Sequence, residues 1–457
     1  MEDFRDVFDF IDGNRDLYLS WLYDACRIPS VSAQNTGIGE MAGFLEGFFR
    51  ERLGTEAEIL QSGGYPFVTA GVEGDVPRTI LFYNHYDVQP VDPIDEWESD
   101  PFEPVERDGR IYARGAADNK GSMFARLCAV HAWRGTRGSL PLGVKFFYEG
   151  EEEIGSPNLG IATEKYPSKI SCDAMLWEGG SRDIGGALHV ALGVKGLAYF
   201  ELRLRTANQD QHSSLAPIIP NAAWRMVRAL STIKDEDDKI LIDGFYDDVR
   251  ETGPEDKFFL NNMTFQEEDT KKFAGIDGFL GGVSGYELKE RLLYWPTANI
   301  AGFVSGYGGP GSKTILPAEA VVKMDFRLVP DMSGERVYDL LRRHLESRGF
   351  GDIEVEMLST KPPYRTNPDD PFVRTVIDCA RDVYGVYPAV YRNMAGTTGM
   401  YDFCTAVGAP AVLVGVFNED SRLHAPNENI FVEDYILGIK MVAAVMGRYA
   451  LQGRDSG

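Results

Sequence analysis

Val144-Lys-Phe-Phe-Tyr-Glu149-Gly-Glu151-Glu152-Glu153-Ile-Gly-Ser156 sets four carboxylates at the end of a short apolar run. The run reads as a buried strand, and Gly150 and Gly155 mark where it stops. A charge run by itself is usually a solvated face. Position argues otherwise here, because ligand sites in open α/β sheets lie outside the carboxyl ends of the strands. Carboxylates crowded at such a tip cannot all stay ionised without a compensating cation. That points to metal chemistry and to a search for further ligands. The chain has only six histidines. His85 ends another apolar run, in His85-Tyr-Asp87-Val-Gln-Pro90, and Asp87 can hydrogen-bond the ring nitrogen that does not face a metal. His424 lies in the polar loop Arg422-Leu-His-Ala-Pro-Asn-Glu428. Asp118 and Glu178 occupy comparable boundaries. His131 sits on an apolar helical stripe and reads as packing, while His189 and His344 have no partner pattern.

The elements that must position these groups follow from periodicity. Phe4–Tyr23 and Ile38–Leu53 have helical spacing, and Thr79–Tyr83 is a short strand ending near His85. Tyr112–Gly121 is a polar, glycine-bounded turn that opens a helix with the stripe Met123, Phe124, Leu127, Val130 and Trp133. Ala174–Trp177 is a further strand, ending at Glu178. Strands alternating with helices predict an α/β sheet. Tyr199–Arg205 and Val321–Val329 instead alternate with period two, each followed by a helix-like segment, 221–233 and 333–347. That pattern predicts a smaller antiparallel α+β domain. The expected organisation is a catalytic domain in two parts, 1–193 and 360–457, with an inserted domain at 194–359. A helix over Pro371–Tyr384 and an apolar strand over Ala411–Phe417 would return the chain to the first sheet.

At 457 residues, two domains are the natural expectation. The net charge of −24 argues against nucleic acid and anionic membrane as partners. The five cysteines are scattered, with no C-x-x-C pair, and read as buried free thiols in a reducing compartment. The chain opens Met1-Glu-Asp-Phe-Arg-Asp6 without an apolar h-region, and no apolar stretch approaches membrane length. A cytoplasmic location is expected.

His85-x-Asp87-x-x-Pro90, Arg114-Gly-x-x-Asp118-x-Lys120-Gly121, Glu149-Gly-x-Glu152-Glu153-x-Gly155-Ser156 and His424-Ala-Pro-Asn-Glu428 together resemble the M20 family of di-zinc metallopeptidases, closest to its carnosinase-like dipeptidase branch. The resemblance implies a mixed-sheet α/β catalytic domain carrying two Zn²⁺, with an inserted two-layer α+β lid that also dimerises. Asp118 would bridge the metals. His85 and Glu178 would complete one site, and Glu153 and His424 the other. Glu152 would be the general base acting on a metal-bridging water, with Asp87 orienting His85. Mixed His/carboxylate ligation also tolerates Mn²⁺ or Co²⁺. Glu178 stands where many carnosinase-like members carry aspartate and deacylase-like relatives carry glutamate.

Within the inserted region, His212 in Asp210-Gln-His-Ser-Ser214 resembles the family histidine that reaches a partner subunit's site to stabilise the oxyanion, without the usual Gly-Gly after it. Thr314, after the glycine loop Ser305–Ser312, resembles a threonine serving across the same dimer. That loop contains a literal G-x-G-x-x-G, but Pro310 interrupts it and no helix follows, so it is not a nucleotide site. Arg327 resembles the clamp for the substrate's C-terminal carboxylate. Gly396, Thr397 and Thr398 stand in place of the branch's Gly-Gly-Ser substrate loop. The expected activity is hydrolysis of dipeptides or short peptides with a free C-terminal carboxylate. An N-acyl-amino-acid amidohydrolase would use the same site, and a non-catalytic metal or peptide binder is the competing class. No G-x-S-x-G elbow and no H-E-x-x-H occurs.

Overall fold

The computed structural model describes residues 4–452; the charged segment Met1–Asp3 lies outside them. Its largest element is an eight-stranded mixed sheet, in the order 57–60, 67–72, 143–149, 79–85, 174–177, 411–413, 189–191 and 389–391. Thr79–His85 runs parallel to Gly143–Glu149 on one side and to Ala174–Trp177 on the other. Ala174–Trp177 is in turn parallel to Ala411–Leu413. The carboxyl ends of all four therefore emerge along one edge.

Alternation of side chains splits the core into two faces. Ile80, Phe82, Val144, Phe146 and Leu176 pack against the helices Lys120–Arg137, Pro371–Tyr384 and Val432–Leu451. Leu81, Tyr83, Phe147, Met175 and Trp177 point the other way, onto Leu159, Ala162 and Phe403. Tyr83 and Trp177 stack with ring centroids 3.7 Å apart. Each such side chain taken out of water is worth about 1.5–3 kcal/mol. These runs are apolar throughout rather than alternating because helices cover both faces.

A separate four-stranded antiparallel sheet, in the order 297–305, 319–328, 196–205 and 354–361, has its own core. Gly196–Arg205 and Glu319–Leu328 bury alternate residues beneath the helices Ala222–Leu230 and Gly334–Ser347. The chain leaves the large sheet at Gly193–Val194 and returns at Tyr364–Arg365, and these two short strands pair with each other. Three helices, Pro254–Asn262, Glu267–Ala274 and Gly285–Tyr294, lie in a stretch whose sequence matches no recognisable pattern, and the first and last of them form a further small cluster with Tyr391 and Ala395.

Three expectations are corrected. Phe4–Tyr23 is not one helix but two, Arg5–Gly13 and Arg15–Cys26, because Asn14 turns its side-chain amide onto the Phe10 carbonyl. The 411–417 run ends as a strand at Leu413, and a second short strand, Phe417–Asn418, pairs with Ser181–Arg182. All five cysteines are free, but Cys172 is only half-buried. No helix among the described residues is long and apolar enough to cross a membrane.

Candidate active site

His85 is the last residue of its strand and lies in register with Glu149 of the neighbouring one. Its Nε2 stands 3.1 Å from Asp118 Oδ1 and 3.3 Å from Glu178 Oε2. The other oxygen of Asp118 faces His424, with Nε2 3.2 Å away, and that nitrogen is 3.3 Å from Glu153 Oε2. Asp118 thus presents one oxygen to each of two histidine–glutamate pairs. His85, Asp118 and Glu153 offer ligand atoms that all lie within 4.8 Å of one another.

The cluster is held by a layer of buried groups. His85 Nδ1 lies 3.0 Å from the Asp87 carbonyl oxygen. The Asp87 carboxylate accepts from the backbone N–H groups of Glu152 and Glu153, at 3.2 and 3.0 Å. One acid therefore places the first histidine and both glutamates. Glu428 fixes the Asp118 loop. Its carboxylate accepts from Arg114 Nη1 at 2.7 Å and from the N–H groups of Gly115, Ala117 and Asp118 at 3.0, 2.9 and 2.8 Å. Buried Arg126 donates to the carbonyls of Tyr83, Leu176, Trp177 and Val414, tying together three strand ends. Lys120 is buried as well, donating to Ala25 O and Ile28 O at 3.0 and 2.7 Å. His424 sits at φ +61°, a left-handed conformation uncommon outside glycine and one found at functional loops.

Electrostatics set the demand for a cation. Burial, reinforced by Glu153, Asp118 and Asp87 against His85, pushes the Glu152 carboxyl up to about 7. Burial likewise lifts Glu178 well above the usual carboxylate range. The Asp118 and Glu153 carboxylates raise His424 to about 10. The site carries more negative charge than its own side chains neutralise. Glu153 Oε1 and Glu178 Oε2 are buried and accept no hydrogen bond from the described residues. Two imidazoles with several carboxylates, two of whose buried oxygens accept no hydrogen bond among the described residues, make a donor set that suits divalent metal ions.

A family model described as peptidase family M20/M25/M40 matches residues 81–448, a span that runs from the first histidine's strand past His424. The chain belongs to the M20 peptidase family. It is similar to the solved M20 family metallo-carboxypeptidase Sso-CP2 from Sulfolobus solfataricus at 40% identity, covering 95% of this chain and 99% of that one with a TM-score of 0.88. Human carnosine dipeptidase 1 is 28% identical over 98% of this chain and 99% of its own, with a TM-score of 0.78. The Cys-Gly metallodipeptidase dug1 of Schizosaccharomyces pombe is 27% identical over 95% of this chain and 96% of its own length.

In this M20 chain Arg327 Nη1 donates to Thr397 Oγ1 at 2.8 Å, joining the small sheet to the loop after Tyr391. Gly396 accepts from the Lys195 N–H, and Thr398 from the Met400 N–H. His212 is exposed and pairs with Ser214 Oγ at 2.8 Å; its neighbour across the short β pairing is Ile315, beside Thr314. Neither His212 nor Thr314 makes a hydrogen bond or ion pair with the cluster among the described residues. His131 is packed among Phe10, Tyr18 and Trp21. Sequence reasoning assigned no role to Arg126 or Glu428. Glu428 stood inside the His424-Ala-Pro-Asn-Glu428 motif without a role, and the signal for Arg126 was a charge within an apolar helical stretch.

Proposed function

We propose that this chain is a di-metal exopeptidase that hydrolyses dipeptides or short peptides next to a free C-terminal carboxylate. The observation that carries it is the pair of histidine–glutamate sets on either side of Asp118, with Glu152 beside them. His85 and Glu178 would hold one ion, His424 and Glu153 the other, and Asp118 both. Two divalent ions, Zn²⁺ first with Mn²⁺ or Co²⁺ also accommodated, would supply Lewis acidity towards the scissile carbonyl and towards water. Glu152 takes the proton from the attacking water and delivers it to the amine nitrogen as the C–N bond breaks. Arg327, bonded to Thr397, meets the substrate carboxylate with a guanidinium fork.

Residues 194–359 act as a lid hinged where Gly193–Val194 pairs with Tyr364–Arg365. The protein is a homodimer joined through that domain. In support, Ile218, Trp224 and Val227 are exposed there, as are Ile300, Phe303 and Val304 on the edge strand Thr297–Ser305. Covering them brings a partner's His212 and Thr314 to the site, where the histidine steadies the oxyanion. Five free cysteines fit a reducing, cytoplasmic setting.

The test is hydrolysis of unblocked dipeptides and of N-acetyl amino acids after chelation and metal add-back. Dipeptides should be cleaved and Glu152→Gln should lower turnover roughly a hundredfold or more while the protein still binds metal. Cleavage of the N-acetyl set alone, or a variant within about tenfold of the parent, overturns the reading.

A further inference from the structure

A cavity of about 840 Å³ borders the cluster. Its walls include Gly180, two residues beyond Glu178, and Leu423 and Ala425, on either side of His424. Neither Arg327 nor Thr397 belongs to its walls, though Met394 and Ala395, just before the Gly396–Thr398 loop, do. A C-terminal residue held at that clamp spans one residue length, about 3.5 Å, to the scissile carbonyl. With the C-terminal residue anchored at Arg327, outside those walls, the cavity is open to the residue on the other side of that carbonyl. We propose that it takes the side chain of the residue on the acyl side of the scissile bond and selects a bulky apolar one. This rests on the peptidase reading and adds the substrate class to it.

The walls carry the chemistry. Leu292, Leu293, Tyr391, Met394, Phe417 and Leu423 make an apolar and aromatic surface. His189 lies among them, but burial brings its pKa down to about 4, so the ring is neutral. It faces Ser181 Oγ at 2.7 Å and leans on Tyr391, ring centroids 4.8 Å apart. The carboxylates in the lining, Glu96, Glu419 and Asp420, belong to exposed residues and outnumber the single guanidinium of Arg422. An acidic side chain entering here meets like charge first and an apolar wall after it.

One wall is special to the segment between the two paired crossings. Leu293, buried with Leu260, Met263 and Tyr294 between the helices Pro254–Asn262 and Gly285–Tyr294, lines the cavity together with Leu292. Lys195 pins that helix end, donating to Leu292 O at 2.7 Å and to Trp295 O at 2.6 Å. Part of the apolar wall thus comes from a stretch whose sequence carries no motif.

The experiment compares Phe-Ala, Leu-Ala, Gly-Ala and Glu-Ala with Ala-Phe, Ala-Leu, Ala-Gly and Ala-Glu, by kcat/KM in the metal-loaded protein and by calorimetric binding to Glu152→Gln. Filling an apolar pocket is worth roughly tenfold or more. Phe-Ala and Leu-Ala should exceed Gly-Ala by at least that factor, with Glu-Ala lowest, and the Ala-Xaa series should spread less. Leu292→Trp, which fills the cavity from a 38% exposed position, should shrink the Phe-Ala to Gly-Ala ratio at least fivefold. Equal rates along the Xaa-Ala series, a larger spread in the Ala-Xaa series, or an unchanged ratio in Leu292→Trp overturns the assignment. Absence of cleavage together with Phe-Ala binding more tightly than Gly-Ala would refute the peptidase reading and keep the pocket. Absence of binding preference would refute the pocket.

Discussion

Replacing Glu428 by alanine removes a carboxylate that touches no metal ligand side chain yet governs where Asp118 sits. It strips Arg114, 1% exposed, of its carboxylate partner and leaves the N–H groups of Gly115, Ala117 and Asp118 without their acceptor. Breaking a buried ion pair from one side costs about 3–5 kcal/mol, because the charge left behind stays buried. The three amides add less than their separate worth, since the loop relaxes and admits water. At roughly 2 °C per kcal/mol for a domain of this size, the melting temperature should fall by about 6–10 °C. Loss of bound metal would lower it too, by mass action, so the comparison is made in chelator, where neither protein carries an ion. Metal affinity is then measured separately by competition with a chromophoric chelator. It should weaken roughly 10–100-fold, the usual effect of removing a group that orients a ligand. Glu428→Gln keeps an acceptor for the amides and should recover part of the stability. An alanine variant within about 1 kcal/mol of the parent and with unchanged metal affinity would refute the role given to this residue.

Three further outcomes are expected. Arg327→Met should lower kcat/KM for peptides with a free C-terminal carboxylate by roughly 10–100-fold, the worth of a charge-assisted pair, and change C-terminal amides far less; equal losses on both would remove the clamp. Trp224→Asp combined with Val304→Asp, at positions 64% and 72% exposed, should halve the mass seen by light scattering if the proposed dimer forms there. A parent that is already monomeric and fully active would end that proposal. His189 has its pKa lowered by burial from 6.5 to about 4. The unfolded chain therefore binds the extra proton between those values, so the folded state is favoured above pH 6.5 and loses that advantage as pH falls. Between pH 7 and 4.5 the parent should lose about 2–3 kcal/mol more than His189→Phe in denaturant titrations; parallel curves would show the ring to be solvated.

Much of the layout was legible because it is local. Ala174–Trp177 and Pro371–Tyr384 have the bounds that their apolar spacing predicts, and Ile38–Arg52 ends one residue early. Period-two alternation in 196–205 and 319–328 follows from one covered face, and the structure covers that face with two helices. Where the local pattern misled, a polar side chain intervened, as Asn14 does in breaking the first helical run. Cys172 looked apolar in its surroundings but lies at the rim of its core, and burial is not a property of spacing.

By itself the sequence determined which residue types stand at which strand ends: two histidines and a set of carboxylates too crowded to stay ionised together without a cation. Their motifs carried the M20 resemblance, and the family match agrees with it. Only the tertiary structure decided how those ends meet. Arg114 and Glu428 are 314 residues apart in the chain and 2.7 Å apart in space. No periodicity encodes such a pairing, since the cost of burying each charge is settled by a partner that the fold alone supplies. The same holds for Arg126, which binds carbonyls from three strands, and for Asp87, whose carboxylate holds Glu152 and Glu153 as well as standing beside His85. The cavity is the furthest case. Its walls come from five separate stretches of chain, and its size and polarity exist only once helix, strand and loop close around it.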